Sequence, residues 1–410
     1  MVQRIAPIAV FCLMLGLAAW AGTPTLAQDT GKTEWPESNS RATAPAKQPE
    51  KGPGGTEYSH KSVEVTQRGE GAKTYWLYTP AEPKPEKAPV VMFIHGYGQL
   101  TPENYLGWIN HIVKRGSIVV YPKYQDTPLE PTDAYAPNCA ASMIDALAYL
   151  EADKKLVQPI REKFAITGHS AGGITTGNVA ADWEALKLPK PVAAMPVQPG
   201  RAFSYNPRAQ SRGMIPCSEF ENIPEECLLL CVFSDSDHTV GAWCAKQIFS
   251  CATKVKPENK NLVEVLSSDY GKQAHIATHQ TPASQEVAGQ DLFDWYAYWK
   301  LFDGLTDAAF HGKNREYALG NTEKQRDMGK YSDGRPFEPM VVTLGHVEVD
   351  PMAEYIPAFK RNGERNEDAP KREDVRPEPK PEPETPRRKE DEKPAEKKEE
   401  KKDGGREEEF

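Results

Sequence analysis

Beyond residue 20 the 410-residue chain contains no apolar run long enough to cross a bilayer, which takes about 20 residues. Its body is therefore expected to carry no membrane span. Lys and Arg never cluster among aromatics, and the net charge of −9 is spread rather than blocked. A nucleic-acid partner is not expected on either count. No pair of cysteines two residues apart accompanies a matching pair of histidines, so a zinc site is not expected. Internal repeats are lacking too.

The two ends differ from the middle. Arg4 precedes an apolar run from Ile8 to Trp20, and Thr25-Leu26-Ala27 offers small residues before a polar Gln28. This is the build of a signal peptide over 1–27, and it predicts an exported protein, periplasmic or secreted. Residues 28–56 are rich in Pro, Gly, Thr, Lys and Glu and poor in large apolar side chains. Such a segment has little to bury against its ordering entropy and reads as a flexible linker. Residues 361–410 hold 15 Lys/Arg and 18 Asp/Glu with repeated Pro-Glu steps. That mixture describes a disordered, solvated tail, with contact to a charged cell envelope as its functional reading.

Seven cysteines are present, and setting aside Cys12 leaves Cys139, Cys217, Cys227, Cys231, Cys244 and Cys251. An even number in an exported chain predicts disulfide bonds, whose pairing the sequence leaves open. One pair is disfavoured. Cys244 and Cys251 lie seven apart in a helix-like stretch, about 10.5 Å along its axis, whereas a disulfide needs Cα atoms within about 7 Å.

Between the ends, apolar runs such as Val90–Ile94, Ser117–Tyr121, Lys163–Thr167 and Cys227–Ser234 alternate with helix-length stretches. Continuous apolar runs are the form of strands covered on both faces. Two earlier extended segments adjoin directly. The pattern predicts an α/β domain over 57–312, with a mostly parallel sheet of about eight strands, an antiparallel start and flanking helices. Residues 313–360, with a strand at Pro339–Gly345, form an extension packed on it.

Gly168-His169-Ser170-Ala171-Gly172 fits G-x-S-x-G. It follows the apolar run Phe164–Thr167 and precedes a helix-compatible stretch, the context in which a nucleophile is presented on a sharp strand-to-helix turn. Small flanking residues suit the crowded backbone there, and a helix N-terminus favours developing negative charge. A tetrahedral oxyanion needs two preorganised N–H donors. Ala171 supplies one, and the loop His95-Gly96-Tyr97-Gly98 after an earlier strand supplies the other, through Tyr97. His95 precedes the nucleophile and reads as a structural hydrogen-bonder.

These motifs resemble the α/β-hydrolase family over roughly Glu57 to Phe310, most of all its secreted dienelactone-hydrolase-like and cutinase-like esterases. The resemblance implies a chain order of oxyanion loop, Ser, acid, His. The acid then follows the run Cys227–Ser234, where Ser234-x-x-Asp237-x-x-Val240 matches the family's G-x-x-D-x-x-V with Ser for Gly. Asp237 is assigned, with Asp235 the alternative. The base follows Leu262–Ser267, where His279, with Pro282 three residues on, is preferred to His275. His238 beside the acid is expected at the surface. The aromatic-rich segment Phe293–Phe302 suits a helix packed on the sheet better than a substrate platform.

The resulting expectation is a serine esterase that needs no metal or organic cofactor. Ser170 attacks the ester, His279 carries the proton and Asp237 orients His279. The absence of a long lid-like insertion favours short-chain or polymeric esters. The same triad would serve a peptidase or an acyltransferase, and a catalytically inactive envelope-binding protein is the alternative from another class.

Overall fold

In the computed structural model, which describes residues 38–201, 214–284, 289–349 and 356–369, apolar strands divide their side chains between two cores. The elements run β1 (Ser62–Arg68), β2 (Tyr75–Ala81), β3 (Lys87–Ile94), α1 (Leu106–Lys114), β4 (Ile118–Pro122), α2 (Tyr135–Ala152), β5 (Gln158–His169) and α3 (Ala171–Ala181). Then follow β6 (Ala193–Val197), β7 (Leu228–Ser234), α4 (Trp243–Cys251), β8 (Lys260–Val265), α5 (Lys300–His311), α6 (Glu323–Arg326) and β9 (Val341–Thr343). Val90, Met92 and Ile94 of β3 enter one core beneath α2, α3 and α4, with Met143, Ile174 and Ile248. Val91 and Phe93 enter the other, with Trp108 of α1 and Leu301 of α5. The alternation follows from the two-residue period of a strand, and it explains why no face of these runs is polar.

Among the described residues the sheet has nine strands in the order β1-β2-β4-β3-β5-β6-β7-β8-β9. Neighbours from β4 to β8 are parallel, while β1–β2, β2–β4 and β8–β9 are antiparallel. The chain is thus an α/β sheet with an antiparallel start, as expected, and the added edge strand β9 comes from the extension. The path moves from β3 outward to β4, then crosses back to β5 on the other side of β3. A crevice forms beyond the carboxyl ends of strands where the order reverses in this way. His95–Tyr97 and Ser170 follow the two strands at that point.

Residues 38–56, within the stretch whose composition reads as linker, lie against the domain. Ala42 and Ala44 are buried. The Gly54 N–H donates to Asp303 Oδ2 at 2.7 Å, a carboxylate that also faces His111 Nε2 (2.8 Å) and Arg115 Nε (3.2 Å). Small side chains and hydrogen bonds, from backbone groups and from Asn39 and Gln48, hold this strap, and none leaves a hydrophobic pattern. At the other end, residues 356–369 continue along the domain. Arg365 forms a two-pronged pair with Asp269 at 2.8 and 3.0 Å. The segment read as a signal peptide, the first part of the linker and the tail from residue 370 lie outside the described residues. Among the described residues, no helix is long and apolar enough to cross a membrane.

The cysteines differ from expectation. Cys139, Cys217, Cys227, Cys231, Cys244 and Cys251 are all free thiols. Cys139, Cys227, Cys231 and Cys244 pack as small apolar groups in the core beneath α2, α3 and α4. Burial pushes the Cys227 and Cys244 thiols up to about 12. Cys244 and Cys251 sit on one continuous helix, which keeps them apart as their spacing requires.

The aromatic-rich segment opens as a π-helical turn over Asp294–Trp299 and continues into α5. Phe293, Tyr298, Trp299 and Phe302 are buried, so it serves the core. Asp294 is buried with them. Desolvation pushes its pKa up to about 8, although the Asp291 N–H donates to its Oδ2. Between roughly pH 4 and 8 the folded chain therefore retains a proton that the unfolded chain has released. Stability falls as pH rises through that interval. Asp294→Asn, equal in shape but neutral, is expected to melt several degrees above the native protein at pH 8 and level with it near pH 4. Equal melting temperatures at both pH values would contradict this.

Candidate active site

Ser170 stands between β5 and α3 at φ 60°, ψ −120°, a region that non-glycine residues adopt only where the surroundings compel it. The compulsion is local. Ser170 N–H donates to Val197 O at 3.0 Å, and its carbonyl accepts from Gly173, Ile174 and Gly200. The glycines allow the crowding. A Cβ on Gly168 would lie 2.5 Å from Gly172 O, and one on Gly172 only 2.1 Å from Ile94 O. Strand β3, strand β5 and the first turn of α3 meet at van der Waals contact only because those side chains are missing.

His279 reaches Ser170 from the loop after β8. Its Nε2 lies 2.9 Å from Ser170 Oγ, and its Nδ1 lies 2.7 Å from Asp237 Oδ2. Asp237 is fully buried beyond the end of β7. Its other oxygen accepts the N–H groups of Thr239 (2.8 Å) and Val240 (3.0 Å). With Asp237 Oδ2 as acceptor, the imidazole donates from Nδ1 and is left to accept the Ser170 proton at Nε2.

The two alternatives are occupied elsewhere. Asp235 accepts from Ser267 N–H, Ser267 Oγ and Ser236 Oγ, joining the ends of β7 and β8. His275 forms a backbone bridge with Ser268, and its ring meets the edge of Phe337. His238, expected at the surface, is half-buried, and its Nε2 lies 2.7 Å from Phe359 O. The C-terminal segment covers it, which the spacing around Asp237 could not reveal.

In the loop after β3, the Gly96 N–H donates to Tyr105 Oη and the Gly98 N–H to Gln125 Oε1, each at 3.1 Å. These bonds hold the chain on both sides of Tyr97, whose hydroxyl donates to Pro128 O at 2.7 Å. His95 faces the carbonyls of Gly96 and Lys123 through its two nitrogens and stacks on Tyr124 at 4.2 Å. Burial pushes its pKa down to about 4. Its place is structural, not beside Ser170 Oγ.

A cavity of about 150 Å³ opens at Ser170, walled by Tyr97, Ala171, Leu129, Tyr135, Ile215 and Val240 among others. Ser170 and Ala171, from one motif, and Tyr97, from another, therefore share one pocket. Leu129 and Ile215 were not foreseen. They stand on connections between elements, where no periodicity marks a side chain as pocket-lining.

The doubly wound sheet with an elbow at the switch point is the arrangement of an α/β-hydrolase fold. Residues 52–207 match the chlorophyllase family, which is α/β-hydrolase-like. That segment holds the loop His95–Gly98 and the elbow at Ser170, and its match supports a carboxylic ester hydrolase. Among curated proteins none matches the chain. Among solved structures it is similar to carboxyl esterase 2 from the mycorrhizal fungus Tuber melanosporum, with 17% identity and a TM-score of 0.46 over 62% of this chain and 88% of that one.

Proposed function

We propose that the protein is an exported serine esterase that cleaves carboxylic esters with a short acyl part, including polymeric ones. The observation that carries this reading is the continuous line Ser170–His279–Asp237 at 2.9 and 2.7 Å, with the serine on a strained elbow. Ser170 Oγ attacks the acyl carbon as its proton passes to His279 Nε2. The N–H groups of Tyr97 and Ala171 receive the oxyanion, at the mouth of α3 where the helix dipole favours negative charge. His279 then protonates the departing alcohol. In the second half it takes a proton from water, which attacks the acyl-enzyme and frees the acid. Asp237 accepts from Nδ1 throughout and stabilises the imidazolium. The pattern of residues 1–27 supports export.

Cavity size supports the substrate range. At about 150 Å³ it is the size of a cavity that takes a single small ring, room for a few carbons rather than a fatty chain. At its mouth Leu129 is 71% exposed and Met214, next to the lining residue Ile215, is 59% exposed. An apolar polymer could continue across them. Hydrolysis of p-nitrophenyl esters from acetate to palmitate is expected to peak at two to about four carbons, on the order of what such a cavity admits. A maximum at palmitate would overturn the assignment of acyl size.

A further inference from the structure

Beneath Ser170 lies a second set of polar side chains that the mechanism does not use. The Gly96 N–H donates to Tyr105 Oη at 3.1 Å, and Tyr105 Oη lies 2.9 Å from His169 Nδ1. His169 Nε2 lies 3.2 Å from Gln198 Oε1. Gln198 Nε2 donates to Thr278 O at 2.9 Å and to Ser234 Oγ at 2.6 Å. Tyr105, His169 and Gln198 are each at most 2% exposed.

The protons in this chain can be placed. Thr278 O is a carbonyl and only accepts, so the Gln198 NH₂ must face it and the Gln198 carbonyl oxygen must face His169. His169 therefore donates from Nε2. Its bare Nδ1 accepts from the Tyr105 hydroxyl, whose oxygen accepts the Gly96 N–H. Burial keeps the ring neutral, pushing its pKa down to about 3. Each donor has its acceptor, and at this burial a lost partner leaves a polar group unpaired.

The two ends of the chain are the two halves of the active site. Gly96 immediately precedes Tyr97. The carbonyl of Thr278 belongs to the peptide unit that leads into His279. Between them, the His169 ring lies against the His279 ring with centroids 4.7 Å apart. Gln198 reaches this place from a φ of +42°, a conformation that favours glycine. The backbone thus holds a costly shape at the one residue whose side chain closes the chain.

We propose that Tyr105, His169 and Gln198 are positioning residues whose hydrogen-bond chain sets the oxyanion loop and the general base at a fixed distance across Ser170. The proposal rests on the reading of Ser170, His279 and Asp237 as the triad. Misplacement of a reacting group by about 1 Å can cost roughly 100-fold in rate.

The test is steady-state kinetics on a short-chain ester for Tyr105→Phe, Gln198→Gly and the double variant, with Ser170→Ala alongside and folding checked by near-ultraviolet circular dichroism. Tyr105→Phe removes one oxygen, and Gln198→Gly relieves the backbone while cutting the link. Each is expected to lower kcat by about 10- to 100-fold with KM within about twofold. Members of one chain do not add, so the double variant should fall about as far as the worse single one. Native kcat in either folded variant, or losses that multiply in the double variant, would overturn the proposal. Turnover of the native protein no higher than that of Ser170→Ala would show instead that the esterase reading had failed, and the proposal with it.

Discussion

Asp237→Asn is expected to lower kcat on a short-chain ester about 10⁴-fold, the scale found when the acid of such a triad becomes an amide, while the protein stays folded. The reason lies in what surrounds each oxygen. Thr239 and Val240 donate their N–H groups to Oδ1, so the amide oxygen of an asparagine must take that position. Its NH₂ then faces His279 Nδ1, where Oδ2 now sits at 2.7 Å. Facing a donor, Nδ1 gives up its proton and Nε2 carries one toward Ser170. The imidazole is in the wrong tautomer to accept. Asp235→Asn is the comparison, because Asp235 bonds Ser267 and Ser236. It should cost stability and leave most of kcat. Kinetics and melting curves of the two variants separate these outcomes, and a reversed pattern would move the acid to Asp235.

Gly172→Ala should remove both stability and activity. The added Cβ would sit 2.1 Å from Ile94 O and 2.4 Å from His95 O. Both are backbone atoms at the end of β3, and neither can move without dragging the loop that carries Tyr97. Overpacking of this kind costs about 3 kcal/mol and sometimes more, and displacement of the loop that carries Tyr97 should add a rate loss of about 100-fold. Gly98→Ala provides the contrast. Gly98 has φ +73° with nothing within 4 Å of the Cβ position, so only backbone strain of about 1–2 kcal/mol is incurred. Denaturant unfolding of the two variants should rank them in that order. Equal stability would mean that the elbow is looser than its contacts indicate.

The parts of this molecule that sequence discloses are those with a period or a motif. Val90–Ile94 reads as a strand covered on both faces because each alternate residue meets a core. Ser170 is recognisable because a strained turn needs glycines at fixed offsets. Asp237 and His279 are singled out through chain order and resemblance, since neither stands in a pattern of its own. Other features have no local signature. The strap at 38–56 is held by two small alanines and by hydrogen bonds from backbone and polar side chains, so its composition suggests a linker. The six cysteines beyond Cys12 number evenly, yet they are free thiols and four of them fill a core. Gln198 looks like any polar residue after a strand, and only its positive φ and its bond to Thr278 O reveal a place beneath His279. In each case the deciding contact joins segments far apart in the chain.

The most direct test compares turnover of a short-chain p-nitrophenyl ester by the purified native protein and by Ser170→Ala. The expected result is steady hydrolysis by the native protein and a fall of at least about 10³-fold in the variant, which keeps the oxyanion donors but has no nucleophile. Equal rates in the two proteins would contradict the central claim that Ser170 carries the reaction.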